Sequence, residues 1–260
     1  MSGVLAGRVA LVTGVSRRVG IGFGVAHRLA ADGADLVVSS WAPHDEEMPW
    51  GADPDGPDAL AADLRSTGRR VEHLPADLGD PAAPAALMAA AGRALGHVDV
   101  LVANHARSSS QDLPSLTAEE VDRTLAANVR GTLLLVQAWA AQHDGRPGGR
   151  AVLFTSGQHR GPMPDELPYV ASKGALHQLT ASLAAALGDR RITVNCVNPG
   201  PTDTGYADEP VRAEVARRMP FGRWGTPDDV ARLVAWLVSD EGAWVTGAVI
   251  DSDGGWSLSR

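Results

Sequence analysis

Thr13-Gly14-Val15-Ser16-Arg17-Arg18-Val19-Gly20-Ile21-Gly22 follows a short apolar run, Arg8 to Thr13, and leads into a segment of helical spacing, Phe23 to Asp32. A buried strand, a glycine-rich turn and then a helix form the context that a dinucleotide-binding loop requires. The glycines permit a tight turn, and the helix N-terminus that follows attracts a pyrophosphate. Such loops elsewhere are often only turns, so the position of this one, at the first strand-to-helix junction, carries the reading.

Outward from that loop the same alternation repeats. Gly33 is placed to stop the first helix, and Asp35 to Ser40 reads as a second buried strand. Further strands are expected at Arg70 to Leu74, Val98 to Ala103, Arg150 to Thr155, Ile192 to Val197 and Ala248 to Asp251. Between them lie helices at Pro57 to Thr67, Pro81 to Leu95, Thr117 to Gln142 and Pro168 to Leu187. Thr117 with Glu120 three residues on reads as a capping box. A last helix starts at Thr226-Pro227-Asp228-Asp229, with proline at its first position and acids in its first turn, and runs to Ser239. Short apolar strands alternating with helices give an α/β Rossmann fold, a doubly wound, seven-stranded parallel sheet with helices on both faces. With no linker or composition break, residues 1–260 are expected to form one domain holding both cofactor and catalytic residues. Trp41 to Pro57, rich in Pro, Gly and acids, is expected to be an irregular loop of unusual length.

Composition removes several function classes. Hydrophobic residues are 44% and charged residues 21%, ordinary values for a soluble globular chain. A formal charge of −8 argues against non-specific binding to nucleic acid or to an anionic membrane surface. No uncharged run approaches the ~20 residues needed to cross a bilayer, and no signal peptide is evident, so a cytoplasmic setting is expected. Cys196 is the only cysteine, in the apolar run Ile192 to Val197, and reads as a buried thiol. No metal is expected.

Tyr169-Val-Ala-Ser-Lys173 places a phenol and an ammonium one helical turn apart, on one face. A free tyrosine titrates near ~10, and a cation beside it favours the phenolate, bringing it towards the working range of a proton donor. The pairing also arises by chance on solvated helices. The second strand bears on the cofactor. It ends Ser39-Ser40-Trp41 with no acid to hold a ribose 2′-hydroxyl, while Arg17 and Arg18 offer planar forks suited to a 2′-phosphate. NADP(H) is therefore expected over NAD(H), the alternative being that both arginines are solvated loop residues.

Together these features resemble the short-chain dehydrogenase/reductase family over nearly the whole chain, and among its members look most like the 3-oxoacyl-(acyl-carrier-protein) reductases. The resemblance rests on Thr13-Gly14 with Gly20 and Gly22, Asp77, Asn104, Asn128, Ser156 and Tyr169 thirteen residues later, Lys173, and Asn198-Pro199-Gly200-Pro201-Thr202-Asp203-Thr204. It implies that Tyr169 is the general acid and that Lys173 lowers its pKa and holds the nicotinamide ribose. Ser156 would hold the substrate carbonyl oxygen, and Asn128 a relay water. Structurally, Asn128 reads instead as a helix-distorting residue and Ser156 as a strand-end hydroxyl.

The resemblance assigns the cofactor to Gly14, Ser16, Arg17, Arg18, Gly20, Ile21 and Gly22 of the loop. Ser40, Trp41, Asp77 and Leu78 follow the next two strands, and Asn104 and His105 the fourth. Tyr169, Lys173, Pro199, Gly200, Thr202 and Thr204 complete that set. His105 and Ala106 depart from the family's small residues, and Arg18-Val19 lengthens its glycine loop by two. His105 is read as a local hydrogen-bonding residue. Met48-Pro49-Trp50-Gly51 is expected to cover the adenosine end or pack on a neighbouring subunit.

The segment from Gly157 to Pro168 would carry substrate specificity, with Gln158, His159 and Met163 as contacts, and residues 205–222 would form a lid. Arg212, Arg217 and Arg218 within it read equally well as a solvated face. The function these features imply is NADPH-dependent reduction of a ketone or 3-oxoacyl thioester, carrier- or CoA-linked, to a secondary alcohol. The alternatives are NAD-dependent oxidation of an alcohol, polyol or steroid, and a non-catalytic dinucleotide sensor. The family also implies a homotetramer, consistent with Leu133, Leu134, Leu135, Val136 and Trp139 spreading around one helix.

Overall fold

The computed structural model describes residues 3–258; the terminal residues of the expected 1–260 span lie outside the described part. Seven parallel strands form one sheet in the order β3-β2-β1-β4-β5-β6-β7. They are β1 (Val9–Thr13), β2 (Asp35–Ser39), β3 (Val71–His73), β4 (Val100–Ala103), β5 (Arg150–Phe154), β6 (Thr193–Asn198) and β7 (Val249–Asp251). Each expected strand is present with ends displaced by two residues or fewer.

Alternate residues of β1 feed two cores. Ala10 and Val12 join Leu36 and Val38 on one face, under α1 (Ile21–Ala31), α3 (Gly56–Arg65) and α9 (Pro227–Val238). Val9 and Leu11 join Val37 and Leu101 on the other, under α4 (Ala83–Leu95), α6 (Thr132–Gln142) and α7 (Leu167–Leu187). Trp139 of α6 is fully buried, and its Nε1 donates to Val98 O at 2.9 Å. A fully enclosed ring that also satisfies its one donor is the kind of anchor whose truncation costs about 3–5 kcal/mol.

Two expectations change. The Trp41 to Pro57 stretch is not wholly irregular: Ala42–Glu47 forms a short helix, α2, with Pro43 in its first turn. Six residues are too few to show a helical period, which is why the segment reads as loop. The expected helix from Thr117 to Gln142 is interrupted. α5 (Ala118–Leu125) passes through a π turn, Ala126–Gly131, before α6 begins. Asn128 sits buried in that turn, and Thr132 Oγ1 donates to its carbonyl at 2.7 Å. The capping box at the start of α5 is half made: Thr117 Oγ1 accepts from Glu120 N at 3.2 Å, but the Glu120 carboxylate pairs with Arg107 instead. Towards the C-terminus α8 (Glu209–Arg218) forms within the expected lid.

The strand order reverses direction between β1 and β4, so the loops after these strands diverge and leave a crevice at their C-terminal ends. The register puts Thr13 level with Ser39 and Val12 level with Val102, which brings the glycine loop, the end of β2 and the end of β4 to one rim.

Candidate active site

A cavity of about 480 Å³ opens at that rim, lined by the glycine loop, the ends of β2, β4 and β5, α2, and Tyr169 and Lys173 of α7. That volume lies within the range of small-molecule and cofactor sites. Gly14 has φ +72°, and a Cβ there would lie 2.9 Å from Asn104 Nδ2. A Cβ on Gly22 would lie 2.2 Å from Gly14 O, so helix α1 can approach the turn only as glycine. Asn104 Nδ2 donates to the carbonyls of Thr13 and Gly14, both at 3.2 Å, locking the turn from across the sheet. Thr13 Oγ1 accepts from the N–H groups of Asn104 and His105.

The N-cap of α1, Gly20, supplies no side-chain cap, and the first turn holds no acid. The N-terminal amides therefore face the cavity free of a competing anion, the donor set a diphosphate needs. These residues fit a dinucleotide.

The two arginines of the loop part company. Arg17 lines the cavity, its guanidinium 5.4 Å from the centre of the Trp50 ring and its Nε 3.6 Å from Asp45 Oδ1. Arg18 does not line the cavity. Its guanidinium is taken by Asp63 at 2.7 Å and Asp55 at 3.0 Å, and its N–H by Asp53 at 2.8 Å. The two-residue expansion therefore stitches the glycine loop to the 41–57 segment and to α3, rather than adding a charge to the crevice. Ser40 and Trp41 both line the cavity, but the Ser40 hydroxyl is already paired with His73 Nε2 at 2.7 Å.

α2 crosses from this side of the cavity to the other. Trp50 Nε1 donates to Asp45 at 3.0 Å, and Ser108 N donates to His44 Nε2 at 3.3 Å. Arg107 ties the far end, bonded to Glu120 at 2.9 Å and Glu47 at 3.3 Å. His44, Asp45, Glu47 and Arg107 are lining residues that the sequence reading did not single out. The length of the Trp41 to Pro57 segment signalled His44, Asp45 and Glu47; nothing in the sequence signalled Arg107. Asp77 and Leu78 also line the cavity, with Asp77 Oδ1 accepting from Gly79 N at 2.8 Å.

Tyr169 and Lys173 stand at the inner end. Lys173 is 2% exposed, its Nζ donates to Phe154 O at 3.0 Å, and it lies 5.5 Å from the centre of the Tyr169 ring. The phenol hydrogen-bonds the Ser156 hydroxyl. Burial, and next the charge of Glu166, push the phenol above its ordinary range, so it keeps its proton at neutral pH. Burial pulls the ammonium down to about 8. The expected lowering of the phenol by Lys173 is not seen here: the ammonium sits over the ring face and is held by the Phe154 carbonyl, and burial dominates both groups.

Asn128 and Ser156 do not line the cavity but brace it. Asn128 Nδ2 donates to Arg107 O and to Ser172 Oγ, both at 2.9 Å, and its Oδ1 accepts from Arg107 N at 2.6 Å. Its amide is thereby committed to the β4 loop and to the residue before Lys173. His105 lines the cavity, bonded to Thr13 Oγ1 at 2.7 Å and Ala127 O at 3.2 Å. Burial, then the Lys173 charge, pull it down to about 4, so it is a neutral hydrogen-bonding residue. Cys196 is fully buried, and desolvation raises its thiol to about 11.

Ser16, Ile21, Pro199 and Thr204 line the cavity; Gly200 and Thr202 do not. Thr202 Oγ1 closes the turn onto Pro199 O at 3.1 Å. Of the expected substrate contacts, Gln158 folds back, bonding Thr155 Oγ1 and Ser156 N, and His159 bonds Ser156 O and faces Asp251. Met163 is half-buried beside them. In the 205–222 segment Arg212 pairs with Asp203, Arg217 with Glu214, and Arg218 stacks on Trp256. Those arginines serve their own surface.

Among the described residues, His97, His143 and Asp144 bring candidate metal-ligand atoms within 4.8 Å of one another. They lie at the N-terminal end of the sheet, remote from the cavity. His143 Nδ1 accepts from Gly145 N, and Arg146 clamps Asp144.

Residues 14–257 match a family model described as "Enoyl-(Acyl carrier protein) reductase". An uncharacterized oxidoreductase of Bacillus subtilis, YjdA, is 36% identical over 95% of this chain and 96% of its own length. Versicolorin reductase 1 of Aspergillus parasiticus is 35% identical over 96% of this chain and 97% of its own. The crystal structure of a short chain dehydrogenase from Burkholderia cenocepacia in complex with NADP superposes with a TM-score of 0.87, at 38% identity, covering 97% of this chain and 98% of that one.

Proposed function

The chain belongs to the short-chain dehydrogenase/reductase family and is an NAD(P)-dependent oxidoreductase, and on that premise we propose that it reduces a ketone to a secondary alcohol with NADPH. The observation that carries this reading is that Tyr169 and Lys173 line the same cavity as the glycine loop, with the phenol kept in its protonated form. A reductive step needs a proton donor at the carbonyl oxygen, and a phenol that resists ionisation is a donor in waiting.

The amides at the start of α1 and the Gly14 turn would hold the diphosphate, and Arg17 the 2′-phosphate. Lys173 would hold the nicotinamide ribose. The nicotinamide supplies the hydride when bound. Ser156, bonded to the phenol from behind the cavity wall, would keep the Tyr169 hydroxyl aimed at the carbonyl oxygen, and Tyr169 would give its proton to that oxygen as charge develops there. Lys173, at about 8, is matched to passing a proton inward near neutral pH. Asn128 keeps the β4 loop and α7 in register behind it and, through the π turn, would position the relay water.

Two features favour NADPH: the NADP-bound Burkholderia relative, and the absence of an acid at the end of β2 with Arg17 at the cavity wall. The Aspergillus relative is a versicolorin reductase, which favours the reductive direction. A homotetramer remains what the family implies; a shallow hollow along α5, the π turn and α6, where Leu125, Val129, Leu133 and Leu134 lie beside Asp122, Arg123 and Arg130, is a surface on which subunits would meet. Residues 205–222, mostly exposed and following Thr204 of the cavity wall, would close over the substrate. Ketone-dependent oxidation of NADPH and NADH, measured side by side, tests the reading. A higher kcat/KM with NADPH supports it, and turnover only with NADH and an alcohol overturns it.

A further inference from the structure

The stretch from Trp41 to Asp55 walls the cavity yet adds no buried apolar side chain to the cores beneath it. Among the described residues, the buried hydrophobic side chains stop at Val38 and resume at Leu60. Asp45 is the one buried residue of α2. Polar and ring contacts, rather than apolar burial, therefore hold this helix at the cavity, and they hold its two sides unequally. On the glycine-loop side Asp53 accepts from Arg18 N at 2.8 Å and Asp55 accepts from the Arg18 guanidinium at 3.0 Å. The Arg17 guanidinium lies against Trp50 and Asp45 on the same side.

On the β4 side the contacts are longer. Arg107 Nη1 donates to Glu47 at 3.3 Å, Arg123 lies 3.6 Å from the same carboxylate, and Ser108 N donates to His44 Nε2 at 3.3 Å. The Glu47 and Arg123 side chains are each about half exposed, and ion pairs in that setting contribute little. The residues under this end do not depend on it. Arg107 keeps Glu120 at 2.9 Å, and Asn128 grips its backbone N–H and C=O. The helix can thus part from the β4 loop and leave that loop in place. Gly51, at φ +68° with nothing within 4 Å of where a Cβ would stand, gives the segment a pivot and room to swing.

Resting on the dinucleotide reading of the cavity and on no particular substrate, we propose that residues 41–51 form a strap across the cofactor cavity, hinged beside the glycine loop and latched to the β4 loop and α5 by Glu47 and His44, and that NADPH enters and leaves when the latch parts. Glu47 and His44 are positioning residues: they act on the cofactor through Arg107, Ser108 and Arg123. A segment without a core of its own, held by a few exposed polar bonds, belongs to the part of a fold that opens most readily.

Stopped-flow fluorescence of NADPH binding to the full-length protein reads association and dissociation separately. Loss of a direct contact with the cofactor raises the dissociation rate alone, whereas a loosened gate raises both rates. Glu47→Gln and His44→Ala should each raise both by about twofold to fivefold, the worth of one exposed polar contact, and the double variant by more. NADPH should also slow amide hydrogen exchange across residues 42–51 of the wild type. A rise in the dissociation rate alone, or a double variant in which neither rate moves, overturns the strap and leaves the cofactor reading standing. A wild-type protein that binds no NADPH overturns the cofactor reading and the strap with it.

Discussion

Arg17 Nε lies 3.6 Å from Asp45 Oδ1 at the wall of the cavity, with Trp50 bonded to the same carboxylate oxygen. The cation best placed for a 2′-phosphate is thus half-neutralised by an acid from α2. The pair tunes cofactor choice in opposite directions. Arg17→Ala should lower the NADPH-to-NADH ratio of kcat/KM by about tenfold or more, the worth of a charge-assisted phosphate contact. Asp45→Asn should raise the same ratio. Steady-state kinetics with both cofactors check both, and a ratio that moves in neither variant contradicts the assignment.

Lys173 predicts a pH dependence of stability. Its ammonium is lowered by burial from 10.5 to about 8. Between those values the unfolded chain binds the proton and the folded chain does not, so unfolding free energy rises with pH across that window. Below about 8 both states are protonated and the full cost of burying the charge is present. Tyr169, raised in the fold, opposes this only above its ordinary value near 10. Melting curves from pH 8 to 10 should therefore show wild type gaining on Lys173→Met. A constant difference in Tm would count against it.

Asn128 saturates its amide on the Arg107 backbone and Ser172, all within buried or part-buried protein. Asn128→Ala leaves those partners without replacement, at a cost of about 2 kcal/mol. The urea midpoint should fall accordingly with the m-value unchanged. A loss below about 0.5 kcal/mol would mean that water replaces the amide.

Gly22 marks where α1 touches the glycine turn. A methyl group there would stand 2.2 Å from Gly14 O, far inside contact distance, so the turn must move. Gly22→Ala should weaken NADPH binding by about tenfold or more while the far core is untouched. A tryptophan-fluorescence titration with an unchanged Kd would show that the turn is not the diphosphate cradle.

The sheet was legible because each strand is a short Val- and Leu-rich run between helices of clear period, and burial on both faces leaves little else for such runs to do. Ser156, Tyr169 and Lys173 were legible because their spacing maps directly onto a strand end and one helix face. What escaped depends on partners remote in sequence. Arg18 reads as a free cation until Asp53, Asp55 and Asp63 are folded around it. Gln158 and His159 read as substrate contacts until their side chains turn back on the backbone. The π turn around Asn128 leaves no trace in hydrophobic period, since six residues within a long helix shift it too little.

The central claim is that Tyr169 delivers the proton in a reaction whose cofactor sits in the same cavity. Tyr169→Phe removes one oxygen from a ring that stays packed, so NADPH should bind with a Kd within about threefold of wild type. Ketone-dependent kcat should fall by a factor on the order of 10²–10⁴, the usual contribution of general acid catalysis. A kcat within threefold of wild type, with NADPH binding intact, would contradict the account.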